Sequence, residues 1–330
     1  MPRKLSPLHF VGIGGIGMAA LAELFHAQGH TVSGSDVVAG ATFERLRELG
    51  VRVQLGHAAE AVREAATVVH SSAISQDNPE LAAAREQNIP IIGRGALLAE
   101  VLRTHDAIAI GGSHGKTTTS AMTAYLLEAA GLDPTALIGG RVPRRSGGAS
   151  PVKLGQGDLI VAEVDESDGS FLLTRPLFAV ITNADPEHLD HYGTREVLLD
   201  AFVQFANSVP VHGAVILGID HPGVAEIAPR ITSRKITFGF AEDADLRAAS
   251  IEVIAGGQRC HAVLRDDQRF TFDVPMPGRH NVLNALAALA VGLEQGVGAE
   301  ILCKAIGTFP GVARRYERKG TSRGVEFIDD

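Results

Sequence analysis

The chain has 330 residues, 45% of them hydrophobic and 21% charged, so it has ample material for packed cores and no compositional sign of disorder. This length predicts two or three domains. Thirty Lys and Arg against 38 Asp and Glu give a net charge of −8, which argues against an extensive nucleic-acid surface but leaves room for a local anion site. Cys260 and Cys303 are too few and too far apart for a disulfide scaffold or a cysteine-based zinc site.

The N-terminal segment superficially matches a signal peptide, because Arg3 and Lys4 precede an apolar stretch at residues 10–22. Four glycines interrupt that stretch and Glu23 follows it, so a strand, a tight turn and a helix explain it better. No apolar run reaches the roughly 18 residues of a membrane span. The sequence therefore predicts a soluble protein of the reducing cytoplasm.

Short apolar runs alternate with amphipathic or alanine-rich runs along most of the chain, which is typical of parallel βαβ units. The apolar runs predict strands at residues 8–13, 31–35, 67–72, 89–92, 107–110, 158–164, 178–182, 214–217, 235–238 and 324–328. The other runs predict helices at residues 17–28, 41–49, 79–86 and 116–130 and a helix that ends at Glu294.

Two glycine-rich turns, each between a predicted strand and a predicted helix, divide the chain. They predict an α/β fold with a Rossmann-like domain over residues 1–104 and a P-loop-type domain over residues 105–315, with the boundary between residues 103 and 106. Residues 316–330 end in a strand with no expected partner. Because a lone strand cannot bury its faces, we interpret them as a hinge and the first strand of a third α/β domain that is otherwise missing.

The first turn, GIGGIG at residues 12–17, has the pattern G-x-G-x-x-G, and Asp36 follows its last glycine by 19 residues. Glycines let the backbone approach a diphosphate, and the helix N-terminus supplies amide donors. A dinucleotide would place Asp36 on a ribose hydroxyl, whereas a nucleotide sugar would use the same geometry. A packing turn without a ligand is the third possibility.

The second turn, GSHGKT at residues 112–117, departs from the usual P-loop because Ile110 stands where a glycine is expected. Its essential parts are present. Backbone amides would face the phosphates, Lys116 would supply a charge to the β and γ groups, and Thr117 could hold Mg²⁺. The sequence therefore predicts triphosphate binding.

Acidic and histidine-containing segments follow two further predicted strands, EVDESD at residues 163–168 and TNADPEHLDH at residues 182–191. Carboxylates beyond strand ends suit the Mg²⁺ that accompanies phosphates, although a solvated acidic turn is the alternative. His188 stands out because its strand is expected to lie beside the one that ends at Glu163. His26, His30 and His57 are interpreted as surface or helix-end residues.

Each of two later segments allows two interpretations, one functional and one structural. Asn281 and Asn284 share one helical face near a helix start, which suits either base or phosphate recognition or an ordinary capped helix. A local basic cluster is either a solvated face or a source of charge for a transferring phosphoryl group. The cluster consists of Arg314, Arg315, Arg318 and Lys319.

In this order the segments resemble the Mur ligases, the ATP-dependent amide-bond-forming enzymes of bacterial cell-wall precursor synthesis. The likeness spans residues 9–330 and rests on HFVGIGGIGMAALAE, GSHGKTTTS, EVDESDGSF, TNADPEHLDHY, PGRHNVLNALAA and RRYE with the terminal IDD. It is strongest to the branch that adds L-alanine to UDP-N-acetylmuramate. Several family members use a carbamylated lysine beside the second metal, whereas this sequence, like the alanine-adding branch, has no lysine there, between Lys153 and Lys235.

The resemblance implies a role for each matching position. The UDP-sugar, rather than NAD, would contact Gly14, Gly15, Ile16, Gly17, Ser35, Asp36, Ser71 and Ser72. ATP would contact Gly112, Ser113, His114, Gly115, Lys116, Thr117, Thr118, His280, Asn281, Asn284, Arg315 and Asp330. The metal ligands would be Thr117, Glu163 and His188, and the catalytic residues Lys116, His188 and Arg315.

The implied reaction transfers the γ-phosphoryl group of ATP to the lactyl carboxylate of UDP-N-acetylmuramate, and L-alanine then attacks the acyl phosphate. ATP, Mg²⁺, UDP-N-acetylmuramate and L-alanine are the expected partners, with no nucleic acid or membrane. If these 330 residues are the whole polypeptide, we expect UDP-sugar binding, weakened ATP binding and little or no turnover.

Three alternatives remain open at this point. The first is the recycling ligase that attaches a tripeptide to the same UDP-sugar. The second is a nicotinamide-dependent oxidoreductase built on the first turn, which leaves residues 112–117 unexplained. The third is a nucleotide-binding module without catalytic activity.

Overall fold

Both parts of the chain are built from parallel strands connected by helices, as the alternation of apolar and amphipathic runs predicts. The computed structural model describes residues 5–143, 149–313, 315, 317–322 and 325–329. Unit 1 ends at Thr104 and unit 2 begins at His105.

In unit 1 the strands alternate with helices. In chain order they are β1 (Leu8–Val11), α1 (Ile16–Ala27), β2 (Val32–Asp36), α2 (Ala41–Glu48), β3 (Arg52–Leu55), β4 (Thr67–His70), α3 (Pro79–Glu86), β5 (Ile91–Gly93) and α4 (Arg94–Leu102). The strands form one parallel sheet in the order β3-β2-β1-β4-β5. Successive strands are added on one side of β1 up to β3 and on its other side from β4 onward. The turn after β1 therefore lies at the switch point of the sheet, where ligands bind in sheets of this kind.

Unit 2 has a larger sheet with helices between most of its strands. Its strands are β6 (Asp106–Gly111), β7 (Thr135–Pro143), β8 (Ala149–Lys153), β9 (Leu159–Glu163), β10 (Phe178–Ile181), β11 (Ala214–Gly218), β12 (Lys235–Gly239), β13 (Leu246–Ile254), β14 (Gly257–Leu264), β15 (Arg269–Val274), β16 (Glu317–Ser322) and β17 (Val325–Asp329). Its helices are α5 (Lys116–Ala129), α6 (Leu189–Tyr192), α7 (Arg195–Ala206), α8 (Pro222–Ile227), α9 (Arg279–Glu294) and α10 (Ala299–Ile306).

The ten-stranded sheet of unit 2 has the order β15-β14-β13-β12-β11-β10-β6-β9-β7-β8. The strands from β12 to β7 in this order are parallel, and β14 and β15 extend the sheet in antiparallel register. β6 therefore lies between β9 and β10. The segments that follow these three strands meet at one edge of the sheet.

Helices α5, α9 and α10 share one hydrophobic core with the inner strands. α5 is buried from Thr117 to Leu127, and the alanine-rich α9 is buried over most of its length. Each large apolar side chain removed from water contributes about 1.5–3 kcal/mol. This core fixes the start of α5, where the second glycine-rich turn ends.

The predicted α/β class, with a Rossmann-like part followed by a P-loop-type part, is confirmed by the two sheets. Most predicted strands and helices lie within a residue or two of the observed ones. Several further elements have short or mixed patterns that carry weak signals and were not predicted, among them β3, α4, β7, β8, α7, the β13–β15 extension and α10. In the described part of the chain, no helix is long and apolar enough to cross a membrane.

Two predictions about strand neighbours were wrong. β10 does not lie beside β9, because the strand of the second turn, β6, runs between them. The strand near the end of the chain is not alone either, since β17 pairs with β16 in an antiparallel hairpin in which Glu317 faces Asp329. Its partner strand was missed because ERKGTS is polar and lacks the apolar alternation of a strand.

Candidate functional site

A cavity of about 550 Å³ lies at the turn that follows β6. It gathers eleven residues predicted for ATP or metal binding: Ser113, His114, Gly115, Lys116, Thr117, Thr118, Glu163, His280, Asn281, Asn284 and Arg315. Three further lining residues, Met276, Pro277 and Gly278, precede α9 and were not predicted as site residues. Segments from four distant parts of unit 2 thus form one site.

The backbone of the second turn requires glycine at two positions. Gly112 and Gly115 have φ angles of +125° and +79°, a region that L side chains rarely adopt. A Cβ on Gly115 would lie 2.6 Å from Asn284 Oδ1, and one on Gly112 would collide with Thr182 Oγ1. The turn therefore lies directly against α9 on one side and the segment after β10 on the other.

The segment after β10 holds the second turn through paired hydrogen bonds. The backbone amide of His114 donates to Asn183 Oδ1 at 2.7 Å, and Asn183 Nδ2 donates back to the His114 carbonyl at 2.9 Å. The Asp185 amide donates to Ser113 Oγ at 2.9 Å, and that hydroxyl donates to the Asp185 carbonyl at 3.1 Å. These bonds fix the turn, and an anion site that is fixed in advance loses little freedom on binding.

Asn281 and Asn284 connect α9 to α5 and to the segment before α9. Asn284 Oδ1 accepts from Thr119 Oγ1 at 3.2 Å, and its Nδ2 donates to Asn281 Oδ1 at 3.3 Å. Asn281 Nδ2 donates to the Pro277 carbonyl at 2.7 Å. Gly278 stands at the N-cap of α9 without a side-chain cap hydrogen bond, and nucleotide recognition by Asn281 and Asn284 stays a prediction.

Lys116 lies at the centre of the site with its ammonium group largely out of solvent. Its Nζ donates to both carboxylate oxygens of Glu166, at 3.0 and 2.9 Å, and to the carbonyl of Gly112 at 2.6 Å. Burial raises the pKa of Glu166, and the Lys116 charge offsets part of that rise. Glu163 was the residue predicted from the acidic segment, whereas Glu166, which pairs with the lysine, was not predicted.

His188 lies beside Glu166, with Nε2 3.7 Å from Oε1. Donor atoms of Glu166, Glu187 and His188 lie within 4.8 Å of one another, a set that a divalent cation could share. Glu163 is outside this group. Its Oε2 accepts from the Gly139 amide at 2.9 Å and it lines the cavity with Thr117, so the three residues predicted as metal ligands are divided between two neighbouring places.

His221 extends the polar contacts behind the second turn. Its Nδ1 accepts from the backbone amides of Gly223 and Ala184, so the proton lies on Nε2, which donates to Asp185 Oδ1 at 3.0 Å. The other Asp185 oxygen is 3.3 Å from His114 Nε2. His221 was missed because its only local signal is its position at the start of α8.

The basic cluster near the end of the chain is divided. Arg315 lines the cavity, as the resemblance implies. Lys319 instead pairs with Glu317 at 2.8 Å and lies 3.4 Å from Asp329 within the β16–β17 hairpin. Arg314 and Asp330 lie outside the described residues.

The first glycine-rich turn in unit 1 is held from β2. The amides of Gly12 and Ile13 both donate to the Ser35 carbonyl at 2.9 Å, and the Gly14 amide donates to Asp36 Oδ2 at 2.8 Å. Ser71 lies beside Gly12 at the end of β4. The predicted UDP-sugar residues therefore lie at or just after the carboxyl ends of three neighbouring strands, β1, β2 and β4.

Two predictions in unit 1 need correction. The side chain of Ser35 does not line an open surface, because the residue is fully buried and its hydroxyl donates to Glu80 Oε2 at 2.5 Å. His57 is not a surface residue, since its side chain is only 14% exposed and its Nδ1 lies 2.9 Å from Ser35 Oγ. Burial alone would raise the pKa of Glu80, but hydrogen bonds from His9, Ser35 and the Ala58 amide lower it below the ordinary value.

Comparison with known proteins identifies the family. The Mur ligase family catalytic domain matches residues 7–106, and the Mur ligase middle domain matches residues 110–292. The chain belongs to the Mur ligase family.

Relatives with high identity cover nearly the whole chain. A UDP-N-acetylmuramate–L-alanine ligase from Anaeromyxobacter sp. (strain Fw109-5) is 49% identical over 323 residues, which is 98% of this chain and 70% of the relative. One from Gluconobacter oxydans is 44% identical over 337 residues, covering 100% of this chain and 70% of the relative.

Solved structures agree with this family. A UDP-N-acetylmuramate–alanine ligase from Thermotoga maritima superimposes with a TM-score of 0.87 at 29% identity, covering 98% of this chain and 73% of that one. A murein peptide ligase from Psychrobacter arcticus gives a TM-score of 0.84 at 27% identity, with coverages of 98% and 72%.

The contact between Gly115 and Asn284 gives a direct test of the second turn. We expect Gly115→Ala to weaken ATP binding by about tenfold, because the new methyl group would displace Asn284 and the turn. Isothermal titration calorimetry measures the change.

Gly131→Ala is the matched control. Gly131 has nearly the same φ, +80°, at the other end of α5, but a Cβ there meets nothing within 4 Å. Both variants should lose similar stability from backbone strain, and only Gly115→Ala should lose ATP affinity. Equal affinities in the two variants would contradict the role of this contact.

The lowered pKa of Glu80 predicts a pH dependence of unit 1. Its carboxylate adds stability above the ordinary value of 4.5, and this contribution is lost as the pH falls below that value through the folded pKa. We expect the unfolding free energy of Glu80→Gln to decline less steeply than that of the wild type from about pH 5 to pH 3. Hydrogen exchange in urea, followed on peptides of unit 1, measures both slopes, and parallel curves would exclude the effect.

Proposed function

We propose that the protein joins L-alanine to the lactyl carboxylate of UDP-N-acetylmuramate at the expense of ATP, with Mg²⁺, in the cytoplasmic synthesis of cell-wall precursor. The observation that carries this proposal is the identity of 44–49% to ligases of that name across 98–100% of the chain. The cavity at the second turn supports it, because the residues suited to a triphosphate meet there.

Lys116 and the amides of the second turn would bind the ATP phosphates. In the structure the ammonium group pairs with the Glu166 carboxylate and donates to the carbonyls of Gly112 and Ser113, so it already points into the turn. A triphosphate would compete with Glu166 for this charge. Because the pair is shielded from solvent, that exchange of partners takes place where electrostatic interactions are strong.

The reaction brings two anions together, the lactyl carboxylate and the terminal phosphoryl group. A carboxylate is a poor acceptor for an amine because its leaving group would be oxide, whereas an acyl phosphate releases phosphate. Catalysis therefore depends on positioning and on positive charge near the phosphoryl group. We assign that charge to Lys116 and Arg315, which line one cavity.

The residues present fit a divalent cation. Glu166, Glu187 and His188 offer two carboxylates and an imidazole within 4.8 Å, and Thr117 and Glu163 lie at the adjoining cavity. When bound, Mg²⁺ neutralises phosphate charge and thereby favours attack by an anion. His188 has a φ of +55°, so the backbone turns sharply where it presents its imidazole beside Glu166.

The first turn would hold the diphosphate of the UDP-sugar. Gly12, Ile13 and Gly14 donate to β2, and Gly15 donates to the Gly12 carbonyl. The amides from Ile16 onward begin α1, and the first amides of a helix have no partner within the helix. These amides and the dipole of α1 suit a diphosphate. Ser71 and the exposed Ser72 stand at the end of the neighbouring strand.

The comparisons favour alanine over the alternative substrates. Relatives that carry the alanine-ligase name reach 49% identity, whereas the murein peptide ligases of known structure are 27% and 29% identical. An oxidoreductase would leave the whole of the second site without a purpose.

Two measurements test this function. Calorimetry on this chain should show binding of UDP-N-acetylmuramate that NAD does not displace. Phosphate release should be followed on this chain and on a form extended beyond Asp330 with the corresponding segment of a longer relative. In the extended form, release should require UDP-N-acetylmuramate and L-alanine, and release that ignores the UDP-sugar would overturn the proposal.

Lys116→Ala tests the division into two sites. We expect it to abolish phosphate release by the extended form and to abolish ATP binding, while calorimetry shows a nearly unchanged affinity for UDP-N-acetylmuramate, because the lysine belongs to the second turn alone. Lys153→Ala is the control, since Lys153 is another buried lysine of unit 2 with a carboxylate partner, Asp133, at 2.6 Å. It should lose stability but keep ATP affinity. Comparable loss of both ligands in Lys116→Ala would contradict the division.

A further inference from the structure

A buried polar cluster lies behind the first glycine-rich turn, and the proposed function does not use it. Glu80, on α3, is completely buried, as is Ser35 on β2. His9 on β1 is 1% exposed, and the side chain of His57 is 14% exposed. We call these four residues the Glu80 cluster.

Both carboxylate oxygens of Glu80 have donors. Oε2 accepts from the Ser35 hydroxyl at 2.5 Å and lies 3.4 Å from His9 Nε2 and 3.5 Å from His57 Nδ1. Oε1 accepts from the Ala58 amide at 3.1 Å. A buried carboxylate with partners on both oxygens is held in one orientation, because any rotation would leave a charged group unpaired.

Ser35 links this carboxylate to the turn. Its hydroxyl donates to Glu80, while its backbone carbonyl accepts from the amides of Gly12 and Ile13, both at 2.9 Å. The next residue, Asp36, holds the Gly14 amide. The first three amides of the turn therefore donate to two adjacent residues of β2, Ser35 and Asp36. The side chain of Ser35 is in turn held by the Glu80 carboxylate.

The apolar side of the turn is fixed by close packing. A Cβ on Gly34 would lie 2.5 Å from Ile13 Cδ1 and 2.6 Å from the Phe10 carbonyl, so Ile13 packs directly on the backbone of β2. Packing alone restrains the distance between turn and strand. Hydrogen bonds to Ser35 add direction, and direction decides where the amides at the start of α1 point.

We propose that Glu80 is a positioning residue for the ligand of the first turn: through Ser35 it sets the orientation of residues 12–14 and hence of the amides that begin α1. The inference rests on the proposed function in that this ligand is the diphosphate of UDP-N-acetylmuramate. Glu80 does not touch the ligand. It acts through Ser35, and a charge-assisted hydrogen bond makes the link stiffer than a neutral one.

Ser33 supplies a matched control two residues earlier on the same strand. It faces the same side of β2, is 9% exposed, and its hydroxyl lies 2.9 Å from His9 Nδ1. It pairs with His9 in the middle of β1, away from the turn. Ser33→Ala and Ser35→Ala therefore each delete one buried hydroxyl at the Glu80 cluster, and only the second severs the link to the turn.

The test measures affinity for UDP-N-acetylmuramate in both variants by calorimetry. We expect Ser35→Ala to weaken binding about tenfold and Ser33→Ala to have little effect, with ATP affinity unchanged in both. Glu80→Gln should weaken binding to a similar degree. The double variant Ser35→Ala/Glu80→Gln should bind no more weakly than either single variant, because both changes break the same link.

A second measurement needs no ligand. Amide hydrogen exchange at Gly12 and Ile13 should be faster in Ser35→Ala and Glu80→Gln than in the wild type, and unchanged in Ser33→Ala. If the wild type binds the UDP-sugar, two results would overturn this inference and leave the proposed function standing. They are additive losses of affinity in the double variant and equal affinities of Ser33→Ala and Ser35→Ala. A wild type that does not bind the UDP-sugar would overturn the proposed function, while the exchange rates would still decide whether Glu80 orients the turn.

Discussion

An anion site made of backbone amides works only if those amides point at the ligand instead of at the protein. Both glycine-rich turns meet this constraint in the same way. The amides that would face phosphate lie at the start of a helix, and the rest of each turn is tied down by neighbours. The glycines of both turns and the polar groups buried beside them serve this constraint on the direction of the amides.

The two units tie down their turns with different chemistry. In unit 1 a strand does so, through the carbonyl of Ser35 and the carboxylate of Asp36. In unit 2 the loop after β10 does so through hydrogen bonds with the Asn183 side chain, and the side chain of Asn284 on α9 packs against Gly115. The strand before each turn lies between two neighbours, β1 between β2 and β4 and β6 between β9 and β10. The turn of unit 1 is held from within a neighbouring strand, whereas that of unit 2 is held from the loop after one.

Charge is treated differently in the two units as well. Glu80 is buried, but its donors outweigh the cost of burial and lower its pKa, which suits a permanent anchor. For Glu166 the balance is reversed, and burial raises its pKa despite the Lys116 ammonium. Because desolvation of the Glu166 carboxylate is only partly offset by Lys116, a phosphate group can replace Glu166 as the partner of this lysine. This suits a site where the proposed reaction needs the lysine to change partners.

The sequence by itself determined the two α/β parts, the positions of both turns and most of the residues that line the cavity at the second turn. These follow from local patterns, since a strand, a glycine-rich turn and a helix are contiguous in the chain. Only the tertiary structure revealed Glu80, Glu166 and the pairing of His221 with Asp185. Ser35 and Glu80 are 45 residues apart and Lys116 and Glu166 are 50 apart, so strand order and packing decide whether they meet, and no local pattern encodes that distance.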